Sequence, residues 1–186
     1  MNLSAVRGVT RLARFDSSGL AGFDASPQGL LNALAPWIAF SLVACVIMLV
    51  RGQPAQALGD ALVSVVALLT PPVTSHALAS FWKRKPNWLR YAVAVVWCQW
   101  VMPVALLVAL TGSFVMMGAG VPERTAERIV MLALLVYALA LNIFLARRAL
   151  DMAWWKAVLL VLAVNFVTGT AVLAPRLIEI AQELGA

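Results

Sequence analysis

Apolar residues in this chain are grouped into five long runs, at residues 29–50, 57–82, 88–118, 127–147 and 154–174. A helix rises about 1.5 Å per residue, so about 20 apolar residues cross the ~30 Å hydrocarbon core of a bilayer. Each run is long enough to do so. The pattern therefore predicts an all-α fold, a polytopic helical membrane bundle with about five transmembrane helices.

The composition supports this prediction. Of the 186 residues, 63% are hydrophobic and 12% are charged, which is far from the usual composition of a soluble domain. One small soluble core has no room to hide five apolar helices from water. Bundles of four or six spans are the alternatives that the run lengths leave open.

Polar residues divide the chain into three regions. Residues 1–28 are predicted to form a cytoplasmic or interfacial segment, residues 29–174 the transmembrane domain, and residues 175–186 a short outside surface helix. The first region contains a candidate amphipathic helix, since apolar side chains and three arginines fall on opposite faces at ~100° per residue. The apolar face comprises Leu3, Val6, Val9 and Ala13. A basic tail that only sets the topology is the alternative.

A local signal marks the start of the first span. Asp24 or Ser26 is placed to cap the helix, and Pro27 occupies its first position, where the missing N–H is not needed. This segment is therefore predicted to cap the first transmembrane helix.

Basic residues lie mainly in alternate gaps between the runs. Ten are on one side of the predicted membrane, namely Arg7, Arg11, Arg14, Lys83, Arg84, Lys85, Arg90, Arg147, Arg148 and Lys156. The other four are Arg51, Arg124, Arg128 and Arg176. By the positive-inside bias, the N-terminus is predicted to be cytoplasmic and the C-terminus outside. The excess of arginine over lysine suggests a bacterial genome, and hence a multi-pass protein of the bacterial inner membrane.

Two of the basic clusters are predicted to bind the anionic lipid headgroups of the inner leaflet. They comprise Arg7, Arg11 and Arg14 in the N-terminal segment and Lys83, Arg84 and Lys85 in the second gap. Nucleic acid is not a predicted partner, because these charges form short clusters beside the membrane and no continuous stripe.

Polar and helix-breaking residues inside the runs are the candidates for a site, because each is costly in lipid unless protein or water satisfies it. The second run contains Thr70, Pro71 and Pro72, and the third contains Gln99 and Pro103. The double proline is expected to kink or break the second helix, and the third should bend at Pro103 or continue as a surface segment. Both interruptions lie at a similar depth, so they are predicted to face each other, as broken helices do at transporter sites.

Three further polar residues complete the candidate set. His76, the only histidine, lies at a depth similar to that of Asn142, and we expect a hydrogen bond between them. A proton relay or a haem ligand is the alternative for His76, with a methionine or a second subunit as the other haem ligand. Asn165 is expected to bond between helices.

Enzymatic chemistry is not predicted. No Ser-His-Asp constellation, pair of catalytic carboxylates or phosphate-binding glycine loop can be assembled from the sequence. The two cysteines, Cys45 and Cys98, have no metal-ligand spacing and predict no disulfide. The sequence therefore assigns no catalytic residue, no metal and no cofactor.

The layout of five spans, a cytoplasmic N-terminal segment, tight hairpins and an outside C-terminus resembles the Yip (Ypt-interacting protein) family of membrane domains. The resemblance covers the whole chain and rests on architecture. In eukaryotic members it implies a role in membrane trafficking through contacts with small GTPases. The Asp-Leu-Tyr-Gly-Pro type motif of those members does not occur here, so GTPase binding and functional residues are not carried over.

Three functional hypotheses follow. The first is a non-catalytic membrane protein that acts through other membrane proteins or its own copies, as a scaffold or as an accessory subunit of a larger bacterial membrane complex. The second is a small oligomeric transporter or channel, with the proline-broken second and third helices lining the path. The third is a redox subunit with a haem ligated by His76.

Overall fold

The computed structural model describes the backbone of residues 3–185 and the side chains of residues 3–174. Every regular element in this part of the chain is helical. The α-helices are α1 (Leu3–Ala13), α2 (Pro27–Val50), α3 (Pro54–Phe81), α4 (Trp88–Cys98), α5 (Val101–Gly118), α6 (Glu123–Ala149) and α7 (Trp154–Gly185). Two 3₁₀ helices, Ser17–Gly22 and Lys85–Asn87, precede α2 and α4.

Five stretches of helix are long and apolar enough to cross a membrane. They are α2, α3, the stretch Lys85–Gly118 that contains α4 and α5, α6, and the Trp154–Ala174 part of α7. The all-α, five-span fold predicted from the apolar runs is therefore confirmed. The protein is a multi-pass membrane protein by this criterion.

Helix α4 lies at the centre of the bundle. Its buried residues follow one another almost without a gap and include Tyr91, Ala92, Val93 and Ala94. Helices α2, α3 and α6 pack against it, α7 lies between α3 and α6, and α5 packs outside α6. Small side chains let helix backbones approach closely in membranes, so the alanines explain why α4 takes the central position.

The outward faces of the peripheral helices are apolar and exposed. Val108 of α5 is 68% exposed and Phe166 of α7 is 76% exposed, as is typical of side chains that face lipid. The main core instead joins α4, α6 and α7 near one end of the bundle, around Leu145, Leu150 and Leu160. The helices are therefore packed more closely at this end of the bundle than at the other.

The N-terminal segment packs on this better-packed end. Leu12 is fully buried, and Val9 and Ala13 pack against the main core. The Tyr137 hydroxyl of α6 donates a hydrogen bond to the Ala13 carbonyl at 2.9 Å. Only part of the predicted apolar face meets the bundle, because Leu3 remains 77% exposed.

Helix α1 and the 3₁₀ helix Ser17–Gly22 meet backbone to backbone. A Cβ atom at Gly8 would lie 2.9 Å from the Gly19 carbonyl oxygen, and one at Gly22 would lie 2.8 Å from the Ser4 carbonyl oxygen. No side chain fits in such a space. Glycine at these positions therefore allows the N-terminal segment to fold back on itself.

Two caps fix the ends of helices beside this segment. The Ser26 hydroxyl accepts a hydrogen bond from the Gly29 N–H at 2.9 Å, and Pro27 is the first residue of α2. The predicted cap is thus confirmed with Ser26, while Asp24 accepts from the Ser26 hydroxyl. At the other cap, the Arg90 guanidinium donates to the Ala149 carbonyl at the end of α6.

The proline predictions need two corrections. Of the predicted kink or break in the second helix, the break does not occur, since α3 runs from Pro54 to Phe81 through Pro71 and Pro72; the kink stays a prediction. The third span does break, but at residues 99–100, before Pro103. Proline lacks the N–H that would bond four residues back, and its ring crowds that carbonyl, so the break falls at Gln99. Helix α5 then continues to Gly118, and the alternative of a surface segment at its end stays a prediction.

The C-terminal region of α7 continues through Pro175 to Gly185 as helix. The side chains of residues 175–186 lie outside the described part of the chain. The predicted C-terminal surface helix, and the side of the membrane on which it lies, stay predictions.

Candidate functional site

A cavity of about 180 Å³ lies inside the bundle between α3, α4, α6 and α7. Apolar side chains such as Val95, Val96 and Val161 form part of its wall. Six polar side chains also line it, and they are Ser75, Tyr91, Gln99, Asn142, Asn165 and Thr168. Polar groups at this depth are rare without a reason, because lipid offers them no hydrogen bond.

The structure brings five of the eight sequence-predicted site residues around this cavity. Pro71 and Pro72 come from α3, Gln99 from the end of α4, Asn142 from α6 and Asn165 from α7. The other three, Thr70, His76 and Pro103, do not line it. The double proline of α3 and the break after α4 therefore do face the same space, as predicted.

Prolines free backbone acceptors on the α3 side of the cavity. Because Pro71 and Pro72 have no N–H, the carbonyls of Ala67 and Leu68 lose their usual helical donors. Leu68 itself lines the cavity. The two prolines therefore weaken the helical hydrogen bonding of α3 beside the cavity.

Ser75 joins α3 to the start of α4. Its hydroxyl donates to the Pro72 carbonyl at 3.1 Å and accepts from the Trp88 indole N–H at 3.2 Å. The serine is 2% exposed, so these two bonds fix its position. They hold α3 and α4 in register at the edge of the cavity.

The break between α4 and α5 places Gln99 at the cavity. Since Pro103 cannot donate to the Gln99 carbonyl, the Met102 N–H does so instead at 3.1 Å. This three-residue step ends α4 and leaves the Gln99 side chain among the lining residues. Its amide offers both a donor and an acceptor.

Asn142 and Asn165 present acceptors from the opposite wall. Each Nδ2 donates to the carbonyl four residues earlier in its own helix, at 2.8 Å, to Ala138 and Val161 respectively. An asparagine side chain also has a carbonyl oxygen with two lone pairs. No hydrogen bond to either of these oxygens occurs among the described side chains, so both are available to a ligand.

Thr168 carries the most informative atom of the cavity. Its hydroxyl oxygen is buried and has no hydrogen-bond partner among the described residues. Thr70, Thr111 and Thr170 instead donate to the carbonyl four residues back in their own helices. Leaving a buried hydroxyl unpaired costs about 1–3 kcal/mol, so a hydrogen-bond partner gained by a turn of this side chain toward the cavity would stabilise the protein.

The described side chains that line the cavity are uncharged. None of the described residues that line the cavity is an aspartate, glutamate, lysine, arginine or histidine. Measured along the helices, Asn142 lies about 8 Å and Thr168 about 21 Å from the basic ends of α6 and α7. The polar groups thus span the middle of a ~30 Å hydrocarbon core.

The predicted hydrogen bond between His76 and Asn142 is not formed. The His76 ring packs edge-on against Trp88, with ring centroids 4.8 Å apart, and Asn142 bonds within α6. The prediction is wrong because each side chain has another partner, and α3 packs mainly against α7 and α2. Haem ligation by His76 stays a prediction.

Sequence patterns did not single out Tyr91 or Ser75 as site residues. Tyr91 is 4% exposed and also belongs to the main core. No motif marks it, because its role depends on which face of α4 meets the cavity. A lone tyrosine in an apolar helix was the available signal.

A comparison of the chain with models of protein families, with curated proteins and with solved structures found no match. The resemblance to the Yip family stays a prediction.

Proposed function

We propose that this protein binds and carries a small, uncharged, hydrogen-bonding solute across the membrane, with the polar cavity as the binding site. The observation that carries the proposal is the buried, unpaired hydroxyl of Thr168 in a cavity lined by other polar side chains. A solute hydroxyl, amide or carbonyl would pair with it. Water alone is the simplest solute of this class.

The lining selects for neutral solutes. An ion that enters a medium of low dielectric constant loses its hydration, and only an opposite charge or several aligned dipoles repay that cost. The wall has no charged side chain among its described residues. It does have donors on Gln99 and Tyr91 and acceptors on Asn142 and Asn165, which suit an uncharged polar molecule.

The size of the cavity limits the solute. An engineered cavity of about 150 Å³ in another protein binds benzene. The cavity here is about 180 Å³, so its ligand has a similar number of non-hydrogen atoms. Polyols and amides such as glycerol and urea fit this limit, whereas a hexose does not.

The interrupted backbone supports movement of the solute. Discontinuous helices whose free backbone groups meet near the midplane mark the binding sites of many secondary transporters. Here the α4–α5 break and the two adjacent prolines of α3 meet at one cavity. The second functional hypothesis is therefore the one that this geometry favours, with an unbroken α3.

Proteoliposome swelling tests the proposal. Purified protein is reconstituted, and the entry of glycerol and of urea is followed by stopped-flow light scattering. We expect faster entry than in protein-free vesicles. In Thr168→Val the rate should fall roughly two- to tenfold, since one neutral hydrogen bond contributes about 0.5–1.5 kcal/mol.

Thr170→Val is the matched control for this experiment. Thr170 lies two residues away on α7, is exposed, and donates its hydroxyl to the Phe166 carbonyl at 2.9 Å. Its replacement should leave the rate unchanged. Equal rates in all reconstituted variants and in empty vesicles would contradict the proposal. Action through membrane-protein partners, and the absence of catalysis, stay predictions from the sequence.

A further inference from the structure

A second polar recess lies at the basic end of the bundle, apart from the solute cavity. It measures about 400 Å³ and is bordered by the start of α4, the end of α6 and the 3₁₀ helix Ser17–Gly22. Its polar side chains are Ser17, Ser18, Arg90 and Arg148. We call this space the Arg90–Arg148 recess.

Arg90 is held in place by the protein. Its Nε and Nη2 atoms donate to the Ala149 carbonyl at 3.1 and 2.6 Å. That carbonyl belongs to the end of α6, where the helix dipole is negative. A guanidinium has five N–H donors in a rigid fork, so the donors not used by Ala149 remain for a ligand.

Arg148 adds a second positive charge. Its side chain is exposed, and none of the hydrogen bonds or ion pairs among residues 3–174 involves it. Arg90 and Arg148 come from helices that are distant in the sequence, and both line one recess. Basic residues that serve only to set the membrane topology need not lie beside one another in a recess.

The acidic group beside the recess has its own partners. The Asp16 carboxylate accepts from the Ser18 N–H at 2.9 Å and from the Ser18 hydroxyl at 2.7 Å. The Ser18 hydroxyl oxygen in turn accepts from Arg11 at 3.5 Å. Neither Arg90 nor Arg148 forms an ion pair with a carboxylate among the described side chains, so both remain available to a ligand from outside.

We propose that the Arg90–Arg148 recess binds the phosphate group of an anionic phospholipid. Guanidinium forks pair with phosphate oxygens two at a time. Basic pockets between transmembrane helices bind lipid headgroups in this manner. Arg90 lies two residues after Trp88, which places the recess at the level where headgroups meet the helix ends.

The test compares two variants of the full-length chain, Arg148→Gln and Arg147→Gln. Both remove one charge from exposed neighbouring residues at the end of α6, but only Arg148 lines the recess. The proteins are purified from nanodiscs of phosphatidylglycerol and phosphatidylcholine, and the retained lipid is counted by native mass spectrometry. We expect Arg148→Gln to lower retained phosphatidylglycerol about threefold or more, and Arg147→Gln to match the wild type.

Two outcomes would overturn the proposal. Equal losses in both variants would mean that the surface attracts anionic lipid without a site, and no loss in either would mean that the recess holds none. Inorganic phosphate is added in a separate arm to distinguish the source of the phosphate. Unchanged lipid retention supports a lipid headgroup, whereas release of the lipid by inorganic phosphate assigns the recess to a soluble phosphate instead.

A second pair of variants distinguishes loss of the site from misfolding of the protein. Arg148→Lys and Arg147→Lys keep the charge, but lysine cannot form the two-pronged contact of arginine. We expect Arg148→Lys to retain less phosphatidylglycerol than Arg147→Lys. Identical retention in this pair, with both proteins eluting as the wild type does, would also overturn the proposal.

Discussion

Single hydrogen bonds at the N-terminal segment have measurable consequences. The bonds from the Ser18 hydroxyl and the Ser18 N–H hold the pKa of Asp16 below its ordinary value of 3.8, and Arg11 adds a smaller effect in the same direction. A lowered pKa means that the folded protein prefers the carboxylate. These bonds therefore stabilise the fold at pH values above about 3.8, and their contribution is lost as the pH falls through the lowered pKa.

Ser18→Ala tests this coupling. The substitution removes the hydroxyl donor and leaves the backbone N–H, so the pKa of Asp16 should rise toward 3.8 without fully reaching it. The carboxyl carbon of Asp16, followed by NMR during a pH titration, gives this value. Ser17→Ala is the control, because Ser17 forms no described hydrogen bond with Asp16. An unchanged Asp16 titration in Ser18→Ala would show that the hydroxyl has no such role.

The sequence identified the polar residues inside the spans, but it did not show which of them line the same cavity. Gln99, Asn142 and Asn165 stood out because an apolar span rarely contains an amide. Tyr91 and the free hydroxyl of Thr168 could not be recognised in the same way. Which face of a helix meets the cavity depends on packing, and helices that are apolar all round give little indication of it.

Among the elements, the folded-back N-terminal segment depends on its glycines most directly. Gly19→Ala would place a Cβ atom 2.5 Å from the Gly8 carbonyl oxygen and 2.9 Å from Leu12 Cγ. One of the two elements must then move. We expect a loss of about 1–3 kcal/mol in stability, as for other overpacked sites, together with faster proteolysis of the first 26 residues.

Thermal unfolding in detergent and limited proteolysis check this expectation. Gly59→Ala is the control, since no atom lies within 4 Å of a Cβ atom built at this position of α3. Alanine is the better helix former by about 1 kcal/mol in water, so this variant should be at least as stable as the wild type. Similar behaviour of the two variants would mean that the α1 contact is unimportant.

The positions of the helices could be read from the sequence, while their interruptions could not. Apolar runs are local and long, so their number was predicted correctly, although α3 and α6 begin earlier, at Pro54 and Glu123. The effect of proline depends on the carbonyl four residues earlier. For Pro103 that carbonyl found a new donor in the Met102 N–H and the helix divided, whereas α3 accommodated Pro71 and Pro72 within a continuous helix.

For the molecule as a whole, the orientation in the membrane stays a prediction. The N-terminal segment, the 3₁₀ helix Lys85–Asn87 and the turn between α6 and α7 all lie at one end of the bundle, beside Arg90 and Arg148. Ten of the fourteen basic residues belong to these regions and the helix ends beside them. The positive-inside bias then predicts that this end is cytoplasmic.

Reporter fusions check this orientation. A phosphatase reporter that is active only outside the cytoplasm should be inactive after residue 85 and active after residue 120. Replacing Lys83, Arg84 and Lys85 by glutamine should weaken this contrast, because these charges favour the cytoplasmic side. The opposite activities in the wild type would show that the bundle is inserted the other way round.

Two hydrogen bonds join residues that are synthesised at very different times. The Ala13 carbonyl bonds to Tyr137, and Arg90 bonds to Ala149. Neither partner exists until α6 has been synthesised. On the predicted orientation, the arginines of α1 favour the cytoplasmic face while the early spans insert, and the two bonds to α6 form only afterwards. The N-terminal segment is therefore predicted to act twice, first through its arginines as a topological signal and then through Ala13 as a contact of the finished bundle.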